Sequence, residues 1–290
     1  MTRTDTSDDS IGKSLREYAR GIAGGLIFSL PLLYTMEVWW TGFTADPLRL
    51  AGYMVGTYLL LLGYNRFVGL RRDASWREVM IDSVEEMGIG FITATGVLWV
   101  LGRIGPGMVM AEVMGKIVVE AMTVAIGVSV GTAQLGTREK SELADSGMAE
   151  DGEKRKDDSI TFTSQLIVAF CGAVLFAMNI APTDEVQMIA VEISPWQTLL
   201  LAVASIIIGL SILYYIDFAG SHRYVHNGVG WKVPFGAIIM YAVALVVAAL
   251  LLWFFGQFEG QGAITILSEI VVLGVVSTLG ASAGRLLLQV

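Results

Sequence analysis

Eight long apolar segments are the feature that most constrains the fold of this chain. A helix that crosses the hydrocarbon core of a bilayer needs about 20 mostly apolar residues to span about 30 Å. Segments of this kind cover residues 20–40, 48–67, 83–103, 110–134, 162–181, 196–217, 234–256 and 264–285. The sequence therefore predicts an all-α fold, a polytopic membrane bundle of about eight transmembrane helices.

The composition favours a membrane protein over a soluble one. Hydrophobic residues make up 54% and charged residues 16% of the chain, whereas soluble domains carry about 25% charged residues. The single cysteine, Cys171, has no intrachain partner for a disulfide, and no Cys/His cluster has metal-ligand spacing. His222 and His226 lack a third ligand, and we interpret them as part of a solvated basic loop. We expect no metal, no cofactor and no nucleic-acid partner.

The basic residues predict the orientation, because cytoplasmic connections carry an excess of Lys and Arg. If the N-terminus is cytoplasmic, 16 of the 19 Lys and Arg residues fall in cytoplasmic segments. Trp39 and Trp40 then lie at the outer interface, where aromatic residues are enriched. The sequence thus predicts a multi-pass protein of the bacterial inner membrane with both termini in the cytoplasm.

The two halves of the chain resemble each other. A shift of 148 residues gives six identities over 24 positions: Gly24, Phe28, Thr35, Glu37, Val38 and Pro47 fall on Gly172, Phe176, Thr183, Glu185, Val186 and Pro195. A shift of 153 places Ile117, Val118, Val119, Gly127, Ser129 and Gly131 on Ile270, Val271, Val272, Gly280, Ser282 and Gly284. Chance matching of apolar helices is the alternative. The repeat reading predicts a cytoplasmic tail (1–19), a four-helix repeat (20–135), an acidic flexible cytoplasmic linker (136–160) and a second, parallel four-helix repeat (161–290).

Ionisable residues inside spans are costly and need a partner or a function. The repeat-related Glu37 and Glu185 each follow a candidate helix break, Pro31 and Pro182. With Asn179 and Asp184 they predict an acidic entrance that attracts cations or relays protons. The alternative is a set of solvated carboxylates at the interface.

The fourth apolar segment has charges on one helical face, at Glu112, Lys116 and Glu120. The repeat places Glu269 in register with Lys116, so one hypothesis is an ion pair between the repeats. The other is a pair within one helix, between Lys116 and Glu120. Glu85 and Glu86 open the third segment. They predict either an inner acidic entrance or simple first-turn acids at a helix N-terminus.

The strings GVSVG and GASAG resemble the nucleophile elbow of α/β-hydrolases, but they lie in apolar helices and lack the required strand-to-helix turn. Small residues at this spacing instead let helices approach closely. The repeat predicts that these two helices pack against each other. The residues concerned are Gly127, Ser129, Gly131, Gly280, Ser282 and Gly284.

Four strings resemble a family of uncharacterised bacterial integral membrane proteins. They are PLLYTMEVWW (31–40), SVEEMGIG (83–90), GKIVVEA (115–121) and NIAPTDEV (179–186). The family has no established activity, so the resemblance implies membrane insertion and no mechanism. It covers Glu37, Glu85, Glu86, Lys116, Glu120 and Glu185.

These residues predict a small-cation or proton transporter or channel and not an enzyme. Its pathway would lie between the repeats and would be lined by Glu37, Glu185, Lys116, Glu120 and Glu269. The alternatives are a non-transporting scaffold or stress-related membrane protein and, less favoured, an intramembrane enzyme acting on a lipid or quinone. The expected partners are the bilayer, a small cation or proton, and a second copy of the chain.

Overall fold

The computed structural model describes residues 5–67, 74–145, 162–220 and 232–287. These residues form ten α-helices and no β-strand, in agreement with the predicted all-α class. The helices are α1 (Asp5–Leu33), α2 (Met36–Thr44), α3 (Pro47–Phe67), α4 (Trp76–Val100), α5 (Met110–Asp145), α6 (Phe162–Ala177), α7 (Asp184–Glu192), α8 (Pro195–Gly220), α9 (Lys232–Phe254) and α10 (Ala263–Leu287).

The predicted span 20–40 is wrong as a single straight helix. It is divided between α1 and α2, which meet at 87°. Pro31 lies in the last turn of α1 and has no N–H to donate. Its carbonyl accepts hydrogen bonds from the Tyr34 N–H (3.2 Å) and from Thr35 Oγ1 (2.7 Å). A threonine hydroxyl that donates a hydrogen bond to a backbone carbonyl competes with the helical N–H for that carbonyl. The helix α1 accordingly ends at Leu33.

The predicted span 162–181 is also shorter than expected, because α6 ends at Ala177. The next helix, α7, begins after Pro182 and has nine residues, the same length as α2. Both short helices follow a threonine in extended conformation, Thr35 or Thr183. Nine residues extend only about 14 Å, so neither short helix crosses a bilayer alone.

Within the described residues, four helices are long and apolar enough to cross a membrane: Met110–Ala133 of α5, Pro195–Ile212 of α8, Gly236–Phe254 of α9 and Ala263–Ala283 of α10. The bent pair of α1 and α2 gives a fifth if it counts as one span. The helix α6 is apolar but shorter, and α3 and α4 do not reach the same hydropathy.

Each half of the chain surrounds its last helix. In the first half α5 packs against α1, α2, α3 and α4, and in the second half α10 packs against α6, α7, α8 and α9. In the apolar 18-residue stretch of α5 within Met110–Ala133, 89% of the residues are buried, compared with 50% in the corresponding stretch of α10 within Ala263–Ala283. The helix α6 also contacts α1, α3 and α5 and so joins the halves.

The GVSVG and GASAG helices do not form the predicted pair with each other. Gly127 and Gly131 of α5 lie against Gly24 and Gly25 of α1, so closely that a Cβ on Gly131 would stand 2.5 Å from the Gly24 Cα. Gly280 of α10 lies in the same way against the Gly172 carbonyl of α6. Each small-residue stripe therefore packs against the first helix of its own half. The surroundings of Gly284 are outside the described part of the structure.

Two boundaries differ from the predicted domains. The helix α1 begins at Asp5, so most of the predicted tail is helical, and α5 continues to Asp145 into the predicted flexible linker. The rest of that linker, and His222 and His226, lie outside the described residues.

The close contact between α1 and α5 predicts a stability difference between two glycine substitutions. Gly131→Ala places a Cβ against the Gly24 backbone and should destabilise the protein by about 1–3 kcal/mol through overpacking. Gly96→Ala is the control, because a Cβ at Gly96 meets no atom within 4 Å. Thermal unfolding of the detergent-solubilised variants measures both. Equal unfolding midpoints for the two would contradict the packing described here.

Candidate functional site

The enclosed part of α5 carries several polar side chains. Lys116, Glu120, Thr123 and Ser129 are all buried, with exposed fractions of 8% or less. Polar side chains inside a membrane-type bundle are costly unless they have partners. Their partners, or the lack of them, therefore define the candidate site.

Lys116 has a partner that neither sequence hypothesis named. Its Nζ donates to Glu112 Oε1 at 2.6 Å, one turn earlier on α5, and to the Arg103 carbonyl at 3.3 Å. Both predicted pairs, with Glu120 and with Glu269, are wrong. The Lys116–Glu112 pair neutralises the charge of Lys116 within its own helix.

Glu120 is buried without a hydrogen-bond partner among the described residues. Its exposed fraction is 1%, and no donor in the described part of the chain lies within hydrogen-bonding distance of either carboxylate oxygen. Glu269 on α10 has an exposed fraction of 0%, and its carboxylate oxygens also have no partner in the part of the chain that the structure describes. Transfer of an unpaired carboxylate from water into such surroundings is strongly unfavourable. The cost of burying these two carboxyl groups is therefore not compensated by a hydrogen bond within the described residues.

A second polar contact lies about one helical turn after Glu120 on α5. The hydroxyl groups of Tyr53 on α3 and Thr123 on α5 are 3.1 Å apart, and both donate to Met178 Sδ, at 3.1 Å and 3.2 Å. Met178 follows α6, so this contact connects the two halves of the chain. Neither Tyr53 nor Met178 was singled out from the sequence, because both residue types are common in apolar cores.

A third polar cluster surrounds Glu86. Asn65 Nδ2 on α3 donates to Glu86 Oε2 at 2.8 Å and to Ser83 Oγ at 3.1 Å, and Ser129 Oγ on α5 donates to Asn65 Oδ1 at 3.0 Å. Ser129 is thus a hydrogen-bonding residue and not only a packing residue. Sequence reasoning missed Asn65, although an amide among leucines near the end of an apolar segment was a usable signal.

The helix-terminus explanation of Glu85 and Glu86 is wrong. The helix α4 begins at Trp76, so both residues lie in its third turn. The first-turn acid is Glu78, which forms a capping box with Ser75. The exposed Glu85 accepts a hydrogen bond of 2.5 Å from the Tyr18 hydroxyl of α1, whereas Glu86 points into the polar cluster.

The residues of the predicted acidic entrance are not joined by hydrogen bonds. Glu37 is half-buried on α2, which packs against α5, while Glu185 and Asp184 are exposed on α7, which packs against α10. Hydrogen bonds from the Thr183 side chain and the Glu185 backbone lower the pKa of the Glu185 carboxyl. This carboxylate is therefore ionised at neutral pH, as expected of a solvated group.

Asn179 of that predicted entrance and Pro182, the candidate helix break, have structural partners. Asn179 Nδ2 donates to the Leu175 carbonyl at 2.6 Å, while its buried Oδ1 has no partner. The Pro182 carbonyl accepts a hydrogen bond of 3.2 Å from Gln257 Nε2, between α9 and α10. Within the described residues, no group of three or more His, Cys, Asp or Glu side chains is arranged to hold a metal ion.

Apolar helices long enough to cross a bilayer, with buried polar groups on the most enclosed of them, define an integral membrane protein of the helix-bundle class. Residues 17–288 match the family model described as "Putative integral membrane protein (DUF2391)", a domain of unknown function. The chain belongs to this family, as its sequence strings indicated. No curated protein and no solved structure matches the chain.

The cluster around Glu86 predicts a measurable coupling. Asn65→Ala removes a donor from Glu86 and an acceptor from Ser129, and should destabilise the protein by about 1–3 kcal/mol. In a double-mutant cycle with Glu86→Ala, the second substitution should cost much less once Asn65 is gone. Chemical unfolding in detergent measures the four variants. Additive effects would show that the Asn65–Glu86 hydrogen bond contributes nothing to stability.

Proposed function

We propose that this protein is a proton or small-cation transporter or channel of the membrane, and not an enzyme. The observation that carries the proposal is Glu120 on the most enclosed candidate span, a carboxyl group with 1% exposure and no hydrogen-bond partner among the residues that the structure describes. Intramembrane ionisable residues that face the bundle interior commonly mark ion pathways and proton relays.

The positions of the other polar groups support a pathway along α5. From Lys116 to Ser129 the helix rises about 20 Å, which is about two thirds of a hydrocarbon core of about 30 Å. Over this length come Glu120, then Thr123 with Tyr53, then the cluster of Asn65 and Glu86. A carboxyl group, then two hydroxyl groups, then an amide with a second carboxyl group can bind and pass on a proton or a partly dehydrated cation.

Glu269 provides a counterpart in the second half. It is the repeat equivalent of Lys116, but it has no basic partner. In the first half, the charge at this position is neutralised by the ion pair between Lys116 and Glu112. The second half leaves a carboxylate there for an external proton or cation.

We infer further that the chain is a duplication, with eight spans in two parallel repeats. The order of helices supports this: α2 and α7 have equal length, and the helices that follow them begin at Pro47 and Pro195, the first helical position that proline favours. In this arrangement α3, α4 and α6 cross the membrane together with the more apolar helices, and each short helix follows the outer end of the preceding span.

The turns after α4 and α9 support the same inference. Gly102 and Gly256 both have positive φ, 67° and 76°. The next residue in each case, Arg103 or Gln257, returns its N–H to the carbonyl of the residue five positions earlier, at 2.8 Å and 3.0 Å. This is the hydrogen bonding of a Schellman motif. The close approach of Gly24 to Gly127, and of their repeat equivalents Gly172 and Gly280 to each other, adds to it.

The distribution of Lys and Arg supports cytoplasmic termini and insertion in a bacterial inner membrane. The partners we propose are therefore bilayer lipid and a proton or small cation. A homo-oligomer is compatible with this arrangement.

Flux measurements in proteoliposomes test the transport proposal. The wild-type protein should dissipate an imposed proton, Na⁺ or K⁺ gradient, read by a trapped pH-sensitive or ion-sensitive dye. Glu120→Gln removes the ionisable group at similar volume and should reduce flux to the level of protein-free vesicles. The matched control is Glu192→Gln, the same chemical change at an exposed site on α7, which should leave flux unchanged.

Two results would overturn the proposal. Equal flux in wild type and Glu120→Gln would exclude Glu120 from the pathway. Absence of flux of all three ions in the wild type, with a stable complex copurified from membranes, would favour the scaffold alternative. Size-exclusion profiles of both variants show that a loss of flux does not result from unfolding.

A further inference from the structure

A half-open apolar groove lies between α3 and α9, at the junction of the two halves. Its volume is about 200 Å³, and its walls come from α3, α5, α6 and α9. Gly52 and Gly56 form the part of the α3 wall where a Cβ would meet nothing within 4 Å. Leu250 and Trp253 on α9 are about half exposed along the opposite edge. The groove is thus open sideways, toward the lipid.

The length of the groove matches one leaflet of a bilayer. The α3 wall runs from Gly52 to Leu60, and Arg49 lies on the same helical face one turn earlier. From Arg49 to Leu60 the helix rises about 16 Å, which is about half of a hydrocarbon core of about 30 Å. A single acyl chain of one leaflet extends over such a distance.

The end of the groove is charged, whereas its walls are apolar. Arg49 Nη2 donates to Glu259 Oε1 at 2.7 Å, and the Arg49 guanidinium lies 5.7 Å from the centroid of the Trp253 ring. The Glu259 side chain is 69% exposed and that of Arg49 29%. Since Arg49 uses one of its five N–H donors in this bond, others can reach an anion, and Glu259 Oε2 can accept from a cation.

We propose that this groove binds one zwitterionic phospholipid of the ethanolamine type. The acyl chain lies along Gly52 and Gly56, the phosphate contacts Arg49, and the primary ammonium donates to Glu259. The two adjacent opposite charges match the two charges of this headgroup. A glycerol headgroup has no cation for Glu259, and a choline headgroup has no N–H to donate. This binding does not depend on the transport proposal.

Native mass spectrometry of the purified full chain tests the site. After incubation with an equimolar mixture of phosphatidylethanolamine and phosphatidylglycerol of equal chain length, wild type should retain one phosphatidylethanolamine. The preference should be about tenfold, the effect of one charge-assisted hydrogen bond. Glu259→Gln should abolish the preference without abolishing retention of lipid.

Gly56→Leu should abolish retention, because its side chain fills the groove. Gly96→Leu is the matched control: a Cβ there also meets no neighbouring atom, and Gly96 is not among the groove residues. Equal retention in the two glycine variants would overturn the acyl-chain site. Equal retention of both lipids by the wild type would overturn the assignment of the headgroup.

Discussion

The cost of polar groups in an apolar environment determines the arrangement of this protein. The helices α5 and α10 carry buried charged residues, Lys116 and Glu120 on α5 and Glu269 on α10, and each is packed by the other four helices of its half. Lys116 and Glu86 have partners on neighbouring residues. Glu120 and Glu269 do not. The desolvation cost of burying a charge is therefore least compensated at these two carboxyl groups.

The helical class and most helix positions could be predicted from the sequence, because apolar segments of span length leave few alternatives in a bilayer. The breaks were harder to predict. Pro31 lies in α1, but the helix ends two residues later, where Thr35 Oγ1 takes up the Pro31 carbonyl. That hydrogen bond depends on side-chain geometry that an apolar pattern does not encode. The helical continuation of α5 to Asp145 was missed for a similar reason, since its charged sequence has no apolar periodicity.

The burial of the charged residues in the candidate site could be predicted in part from the sequence. The partners of these residues could not. A charge deep in an apolar segment indicated that Lys116 and Glu120 face the interior, as they do. Glu112 and Glu120 are both four residues from Lys116, so spacing alone does not decide between them. In the structure Lys116 pairs with Glu112. The repeat register placed the small-residue helices as equivalents, but equivalence does not imply contact. Each glycine stripe packs on the helix whose own glycines allow the closest backbone approach, α1 for α5 and α6 for α10.

The position of α6 has a consequence for the order of events during synthesis. This helix opens the second half of the chain but packs against α1, α3 and α5 of the first. While residues 5–145 are complete and α6 is still being made, the surfaces of α3 and α5 that α6 will cover face lipid or the insertion machinery. Tyr53 and Thr123 then lack the Met178 sulfur as a partner. The contacts of the first half are thus complete only when α6 is in place, and we expect the two halves to fold as one unit.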